Sequence, residues 1–178
     1  MTNNTKITVT KLDAAQRQLR TAIRLWFEDG DPVSIHALAF AAYEIAHVVS
    51  KKRDRTRRDL IFDSLRVKDE HRADWNRTIK KHATFFKHAD KDWNGSIELE
   101  PILSVLFMMG AGAGLRLAGE PESAEESSFA FWMFLHRPRW ASPRMRKVFE
   151  DSIPVEQLAR MKAIPKSRFL KAVKITRG

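Results

Sequence analysis

The chain has 178 residues, 43% of them hydrophobic, with no cysteine and a net charge of +10. This composition is typical of a folded globular protein with one domain, and the lack of cysteine excludes disulfides, thiolate zinc sites and cysteine nucleophiles. The N-terminus has no apolar signal-peptide region, and the longest apolar run, residues 102–115, is too short for a membrane span. We therefore predict a cytoplasmic protein without membrane contact.

Two strong helix patterns occupy the first fifty residues. Apolar residues recur at helical spacing over residues 12–26, after a start at Thr10 that resembles a capping box. The sequence EDGD at residues 28–31 ends this helix, and Pro32 suits the first turn of the next one. Residues 33–49 are apolar on almost all sides, which predicts a helix at the centre of the domain.

The middle of the chain is more polar. Residues 51–58 (KKRDRTRR) are expected to form a charged connector, followed by short helices near residues 58–66 and 70–88. An apolar stripe at helical spacing runs along the second of these helices and consists of Trp75, Ile79, His82 and Phe86.

The remaining residues also indicate helices. Pro101 is expected to open a long apolar helix to about Ala118, and its glycines, Gly110, Gly112 and Gly114, indicate close backbone packing or a kink. A second capping box at Ser123 precedes an aromatic helix, and shorter basic helices are expected around residues 143–151, 155–163 and 166–174.

The fold class that follows is an all-α, multi-helix bundle of about seven to nine helices in a single domain. We expect a helical core domain over residues 1–136 and a basic C-terminal helical segment, residues 137–178, packed on that core. Three apolar helices compete for the centre of the bundle, so we predict a homodimer whose interface includes the aromatic residues from Phe129 to Phe134. The alternative is a monomer in which the C-terminal helices cover that surface.

The most specific motif lies in residues 85–101, FFKHADKDWNGSIELEP. Its polar residues match the ligand positions of an EF-hand calcium loop, which this segment resembles, with Pro101 where the bidentate glutamate belongs. Glu100 is one residue early, about 100° away on a helix. The alternative is a turn between two helices, and we predict no metal or cofactor. The candidate calcium ligands are Asp90, Asp92, Asn94, Ser96 and Glu98.

Arg77 and His82 match the Arg-x4-6-His pattern of the HEPN family of metal-independent ribonucleases, as do Arg66 and His71. This resemblance implies that histidine acts as general acid and base while arginine stabilises phosphate charge. Five residues rotate by about 140° on a helix, so Arg77 and His82 would diverge on a regular one. A hydrogen-bonded histidine within the apolar stripe is the alternative interpretation of His82.

One Glu-x-x-His pair, Glu44 and His47, lies on the apolar helix, where di-iron bundles carry two such motifs and two further glutamates. His36 is on nearly the same face but about 16 Å away along the helix, too far to share a metal with His47. A buried pair or the wall of a crevice is the simpler interpretation. The candidate pocket residues are His36, Glu44, His47, Lys87 and His88.

Charge is distributed unevenly along the sequence. Residues 137–178 contain twelve basic and three acidic residues, whereas the rest of the chain has a net charge of only +1. Such asymmetry favours an anionic partner, nucleic acid or an acidic protein, although a solvated basic surface is the alternative. The candidate anion-binding residues are Arg137, Arg139, Arg144, Arg146, Lys147, Lys166, Arg168, Lys171 and Lys174.

Three segments, AIRLWF at residues 22–27, DPVSIH at residues 31–36 and FFKHAD at residues 85–90, are similar to a family of small bacterial all-α proteins of uncharacterised function. The resemblance covers roughly residues 11–119. It implies that FFKHAD is a feature of that family and not the entering helix of an EF-hand, and it implies no activity. Because no complete catalytic constellation occurs, we predict a non-catalytic binding or regulatory protein with a basic surface.

Overall fold

The computed structural model describes residues 6–56, 61–90 and 92–175, without the side chains of Met145, Lys174 and Ile175. These residues form an all-α bundle, as predicted, and no strand occurs among them. Two short 3-10 helices, residues 69–71 and 138–140, supplement the α-helices. The α-helices are α1 (Lys11–Phe27), α2 (Pro32–Arg53), α3 (Arg72–Lys87), α4 (Pro101–Leu117), α5 (Ala124–His136), α6 (Pro143–Ser152), α7 (Val155–Lys162) and α8 (Lys166–Ile175).

Both predicted capping boxes are present. The hydroxyl of Thr10 accepts a hydrogen bond from the Asp13 N–H at 3.1 Å, and the Asp13 carboxylate accepts one from the Thr10 N–H at 3.0 Å. Ser123 and Glu126 make the same exchange at the start of α5. These reciprocal bonds satisfy N–H groups that have no partner within the helix, which is why the first turns form where the sequence places them.

The prediction of a helix near residues 58–66 is wrong for residues 61–66, which form turns. Residues 57–60 lie outside the described residues. Contacts from other helices hold this turn segment. Tyr43 Oη accepts a hydrogen bond from the Phe62 N–H at 3.0 Å, and the Arg72 guanidinium donates to the carbonyl groups of Phe62 and Ser64 and to that of Val67, directly after the segment. These long-range bonds replace those of a helix. The predicted connector also begins later, since α2 continues to Arg53.

Helix α2 lies at the centre of the bundle and packs most extensively against α1 and α4. Glycines allow the close approach of α4. A Cβ atom added at Gly110 would lie 2.9 Å from the Tyr43 ring, and one at Gly114 would lie 3.0 Å from the Ala46 Cβ. The glycines therefore mark close packing between two helices, one of the two alternatives that the sequence left open.

The C-terminal helices cover the aromatic helix α5. Phe169 of α8 is fully buried and stacks on Phe27 of α1 with ring centroids 5.9 Å apart. Phe149 of α6 stacks on Phe134 of α5 at 4.3 Å. Phe129 and Phe134 are buried, whereas Phe131 and Trp132 are only partly buried, so the C-terminal helices cover much of this aromatic surface within one chain. The homodimer stays a prediction.

Among the described residues, α2 alone has the length and apolar composition of a membrane-spanning helix. The central helices of globular bundles meet the same criterion. Residues such as Ala39, Phe40 and Tyr43 of α2 are buried against neighbouring helices. The absence of membrane contact and the cytoplasmic location remain predictions.

Candidate functional site

The three C-terminal helices have two faces of opposite character. Apolar side chains such as Phe149, Leu158 and Phe169 turn inward and pack on the core of the bundle. Most basic side chains of the same helices face solvent. Because the apolar face anchors each helix, the charged face is held in place without taking part in packing. We call the exposed basic residues of residues 137–171 the basic surface.

Six of the nine predicted anion-binding residues are exposed and belong to this basic surface. None of the six forms an ion pair with an acidic side chain of the described residues. Their charges are therefore available to a ligand. They are Arg137, Arg139, Arg144, Lys147, Arg168 and Lys171.

The other three predicted residues differ. The Lys166 ammonium forms a salt bridge with Asp29 at 2.6 Å and lies 4.1 Å from the centroid of the Trp26 ring, so it fastens α8 to the end of α1. Arg146 is half-buried, and its Nε has no hydrogen-bond partner in the described ranges. Lys174 lies in α8, but its side chain is outside the described part of the structure.

Two exposed cations of α7, Arg160 and Lys162, were missed as individual candidates, although they contribute to the charge excess that the sequence shows. Burial lowers the pKa of His136, and the positive charges of Lys162 and Arg137 lower it further. The end of α5 and the end of α7 are therefore neighbours. The basic surface thus extends over both, a juxtaposition that only the tertiary fold reveals.

A second group of polar residues lies within the core. His36 is fully buried, its Nδ1 is hydrogen-bonded to Ser104 Oγ at 3.1 Å, and its ring lies 5.6 Å from that of His82. Burial, and secondarily the His82 charge, lowers the pKa of His36 to about 4. His82 Nε2 is hydrogen-bonded to the Glu98 carbonyl group at 2.8 Å. Since His36 and Ser104 have almost no exposed surface, this pair stabilises the fold and has no access to a substrate.

The remaining pocket candidates do not converge on His36. His47 packs against the Phe62 ring at 5.2 Å, and Glu44 lies 3.9 Å from the Lys80 ammonium. Lys87 lies over the Phe40 ring, and His88 is exposed at the end of α3. In the described residues, no three histidine, aspartate or glutamate side chains are placed to hold a metal ion.

The EF-hand-like loop connects α3 to α4, and its five candidate ligands are exposed. The Gly95 N–H donates a hydrogen bond to the Asp92 carbonyl group at 2.7 Å, which closes a turn. Pro101 is the first residue of α4, as the interhelical-turn interpretation expects. The geometry in the described residues is that of a polar connection, with Lys91 outside them.

The two residues of the ribonuclease hypothesis lie on different sides of α3. Arg77 is exposed and pairs with Asp74 at 3.0 Å, while His82 faces the core beside His36. Their side chains therefore do not meet in one chain.

Comparison with family models, with curated proteins and with solved structures finds no match to this chain. The similarity of the FFKHAD segment to a bacterial family therefore stays a prediction. Inferences about function depend on the geometry of the basic surface.

Proposed function

We propose that the protein is a non-catalytic nucleic-acid-binding protein that contacts phosphate groups through the basic surface of α6 to α8. The observation that carries this proposal is the group of exposed cations there that have no acidic partner within the described part of the chain, on a segment whose helices bury their apolar faces. Lysine and arginine side chains that neutralise phosphates release condensed counterions, which favours binding at low salt.

An exposed aromatic residue favours a single strand as the ligand. Trp140 lies between α5 and α6 with 40% of its surface exposed, beside Arg139 and close in sequence to Arg137. Unpaired bases stack on aromatic rings, and arginine cations hold the backbone alongside. The carboxylate side chains of an acidic peptide do not stack on an aromatic ring as bases do. We therefore favour single-stranded nucleic acid over an acidic protein.

The test is fluorescence anisotropy with a labelled single-stranded RNA, a single-stranded DNA and a duplex, each measured over a range of salt concentrations. The affinity should fall steeply as salt rises, with a logarithmic slope of about 0.7 per phosphate contact for single strands and about 0.9 for the duplex. Replacing Trp140 with alanine should weaken binding to the single strands more than binding to the duplex. Absence of binding at low salt would refute the proposal.

A charge-matched pair of variants locates the contacts. One variant replaces Arg144, Lys147, Arg168 and Lys171 with glutamine, and the other replaces Arg17, Lys52, Arg55 and Lys81, which are also exposed but lie outside the C-terminal segment. Both lose four positive charges from a net charge of +10. Only the first variant should show a reduced salt slope. Equal effects in the two variants would assign binding to net charge alone, and tight binding of polyglutamate with no binding of nucleic acid would favour an acidic protein.

A further inference from the structure

A cleft of about 340 Å³ lies between α4 and α5 and is closed on one side by the start of the C-terminal segment. Its walls are largely apolar and include Met108, Met133, Phe134 and Phe149. Small-molecule sites are commonly concave and apolar, with a few polar groups that orient the ligand. The cleft has this character, and none of the four basic residues changed in the charge-matched variant lines it.

One end of the cleft is polar and is formed by Glu126, Arg116 and Glu122. Glu126 Oε2 accepts hydrogen bonds from the N–H and the hydroxyl of Ser123, at 3.0 and 2.7 Å. Glu126 Oε1 is buried and has no hydrogen-bond donor among the residues that the structure describes. Its nearest cation, Arg116 Nη1, is 3.7 Å away and also lies 3.4 Å from Glu122 Oε1.

The position of this oxygen depends on a glycine of α4. A Cβ atom at Gly112 would lie 3.1 Å from Glu126 Oε1 and 3.4 Å from Arg116 Nη1. The absence of a side chain at residue 112 therefore leaves space for the carboxylate against α4. The Glu126 side chain is only 7% exposed, so bulk water does not readily supply the missing donor.

A buried acceptor without a donor is unfavourable, and more so when it carries charge. The group that complements Glu126 Oε1 is a hydrogen-bond donor. A cationic donor is preferred at this end of the cleft, where two glutamates lie beside one arginine; the second arginine of the lining, Arg137, lies at the opposite end of α5. The apolar walls next to it require that the rest of the ligand be apolar, and methionine and aromatic side chains accommodate flat or flexible bodies.

We infer that the cleft between α4 and α5 binds a small amphiphilic amine. Its ammonium group donates to Glu126 Oε1, and its apolar or aromatic body lies between Met108, Met133 and Phe134. Arg137 and Trp140 border both this cleft and the proposed nucleic-acid surface. The ligand of the cleft nevertheless has the opposite charge from nucleic acid.

The test compares two probes with the same apolar body, phenylbutylamine and phenylbutyrate, by isothermal titration calorimetry and by NMR chemical-shift mapping on the full chain. The amine should bind at least about tenfold more tightly than the carboxylate, since a charge-assisted hydrogen bond is gained with one and repulsion with the other. Shift changes should centre on the residues of α4 and α5 that line the cleft. Equal binding of the two probes, or shifts elsewhere, would overturn the inference.

Neighbouring glutamates provide a matched pair of variants. Glu126→Gln keeps the capping box, because glutamine also serves at this position, but removes the charge. Glu125→Gln makes the same change at a residue that is 7% exposed as well but pairs with Arg24 and does not line the cleft. Amine affinity should fall about tenfold in the first variant and stay unchanged in the second. An unchanged affinity in Glu126→Gln would refute the assignment.

A third variant keeps the inference testable if Glu126→Gln does not fold. Ala130 lines the cleft and is exposed, so that a larger side chain there can be accommodated without disturbing the core. Ala130→Phe should abolish amine binding and leave the thermal unfolding midpoint close to that of the wild type. Undiminished binding in this variant would show that the amine binds somewhere else.

Discussion

The buried His36 should make the protein sensitive to mild acid. In the folded chain its pKa is lowered from 6.5 to about 4, and burial is the larger cause. The unfolded chain therefore binds a proton in a pH range where the folded chain does not. The contribution of the neutral His36 to the free energy of unfolding is fully present above about pH 6.5 and is lost as the pH falls toward 4. A difference of this size corresponds to a loss of about 3 kcal/mol in the free energy of unfolding.

The loss has a structural cause in the surroundings of the ring. His36 is surrounded by Phe40, Phe86 and Phe107 at centroid distances of 5.4 to 6.5 Å, and the His82 ring lies 5.6 Å away. A protonated His36 would be a buried charge among these apolar rings, and the His82 charge also acts against it. Both effects favour the unfolded state at low pH.

Urea unfolding followed by tryptophan fluorescence, at about pH 7 and about pH 4.5, measures this effect. The double variant His36→Leu/Ser104→Ala removes both hydrogen-bond partners together, so that neither is left buried and unsatisfied. Between the two pH values the free energy of unfolding of the wild type should fall by roughly 2.5 kcal/mol more than that of the double variant. Other groups, including His136, titrate in both proteins and cancel in the difference.

The control is His71→Leu, which makes the same chemical change at a side chain that is 69% exposed. Its unfolding free energy should depend on pH in the same way as that of the wild type. If the double variant and the wild type lost equal stability on acidification, His36 would not be the buried neutral group that the structure indicates.

Three further predictions concern packing and the polar loop. Gly110→Ala should lower the free energy of unfolding by about 1–3 kcal/mol, because its Cβ would lie 2.9 Å from Tyr43; unchanged urea unfolding would contradict this contact. Phe169→Ala should lower the free energy of unfolding by about 3–5 kcal/mol, because Phe169 is buried, whereas Leu65→Ala at an exposed residue should lower it by less than about 0.5 kcal/mol in the same assay. Millimolar calcium should not raise the melting temperature, and a rise that Asp90→Ala abolishes would restore the EF-hand hypothesis.

Much of the helical pattern was predictable because its signals are local. A capping box needs only residues three apart, so the starts at Thr10 and Ser123 could be recognised from the sequence. The same is true of α4, whose first residue is Pro101. Glycines within this helix indicated either close packing or a kink, and the choice between the two depended on where Tyr43 and Ala46 lie on another helix.

Residues 61–66 could not be predicted in the same way. Their conformation depends on hydrogen bonds to Tyr43, 19 residues before Phe62, and to Arg72, 10 residues after it. Such bonds satisfy the backbone N–H and carbonyl groups as well as a helix would, but the residues of the segment itself do not indicate them. The composition of the segment was therefore a poor guide to its structure.

The candidate sites show the same division between local and long-range information. Charge counting located the basic segment, but it did not distinguish Lys166, which pairs with Asp29, from the exposed cations of the same segment. The sequence assigned Glu126 to a capping box, and only one of its two oxygens serves there. Its second oxygen faces α4 across Gly112, a relationship that appears only once the two helices are packed together.

The double role of the C-terminal helices determines which experiments can separate binding from folding. Phe149 and Phe169 cover the aromatic residues of α5, so deleting residues 137–178 would expose a large apolar surface along with the loss of the basic one. Loss of nucleic-acid binding by such a truncation would carry no information about charge. Glutamine substitutions at exposed positions leave the apolar face intact, and surface changes of this kind usually alter stability by less than about 0.5 kcal/mol. The charge-matched variants therefore test the basic surface in a chain that still has its core.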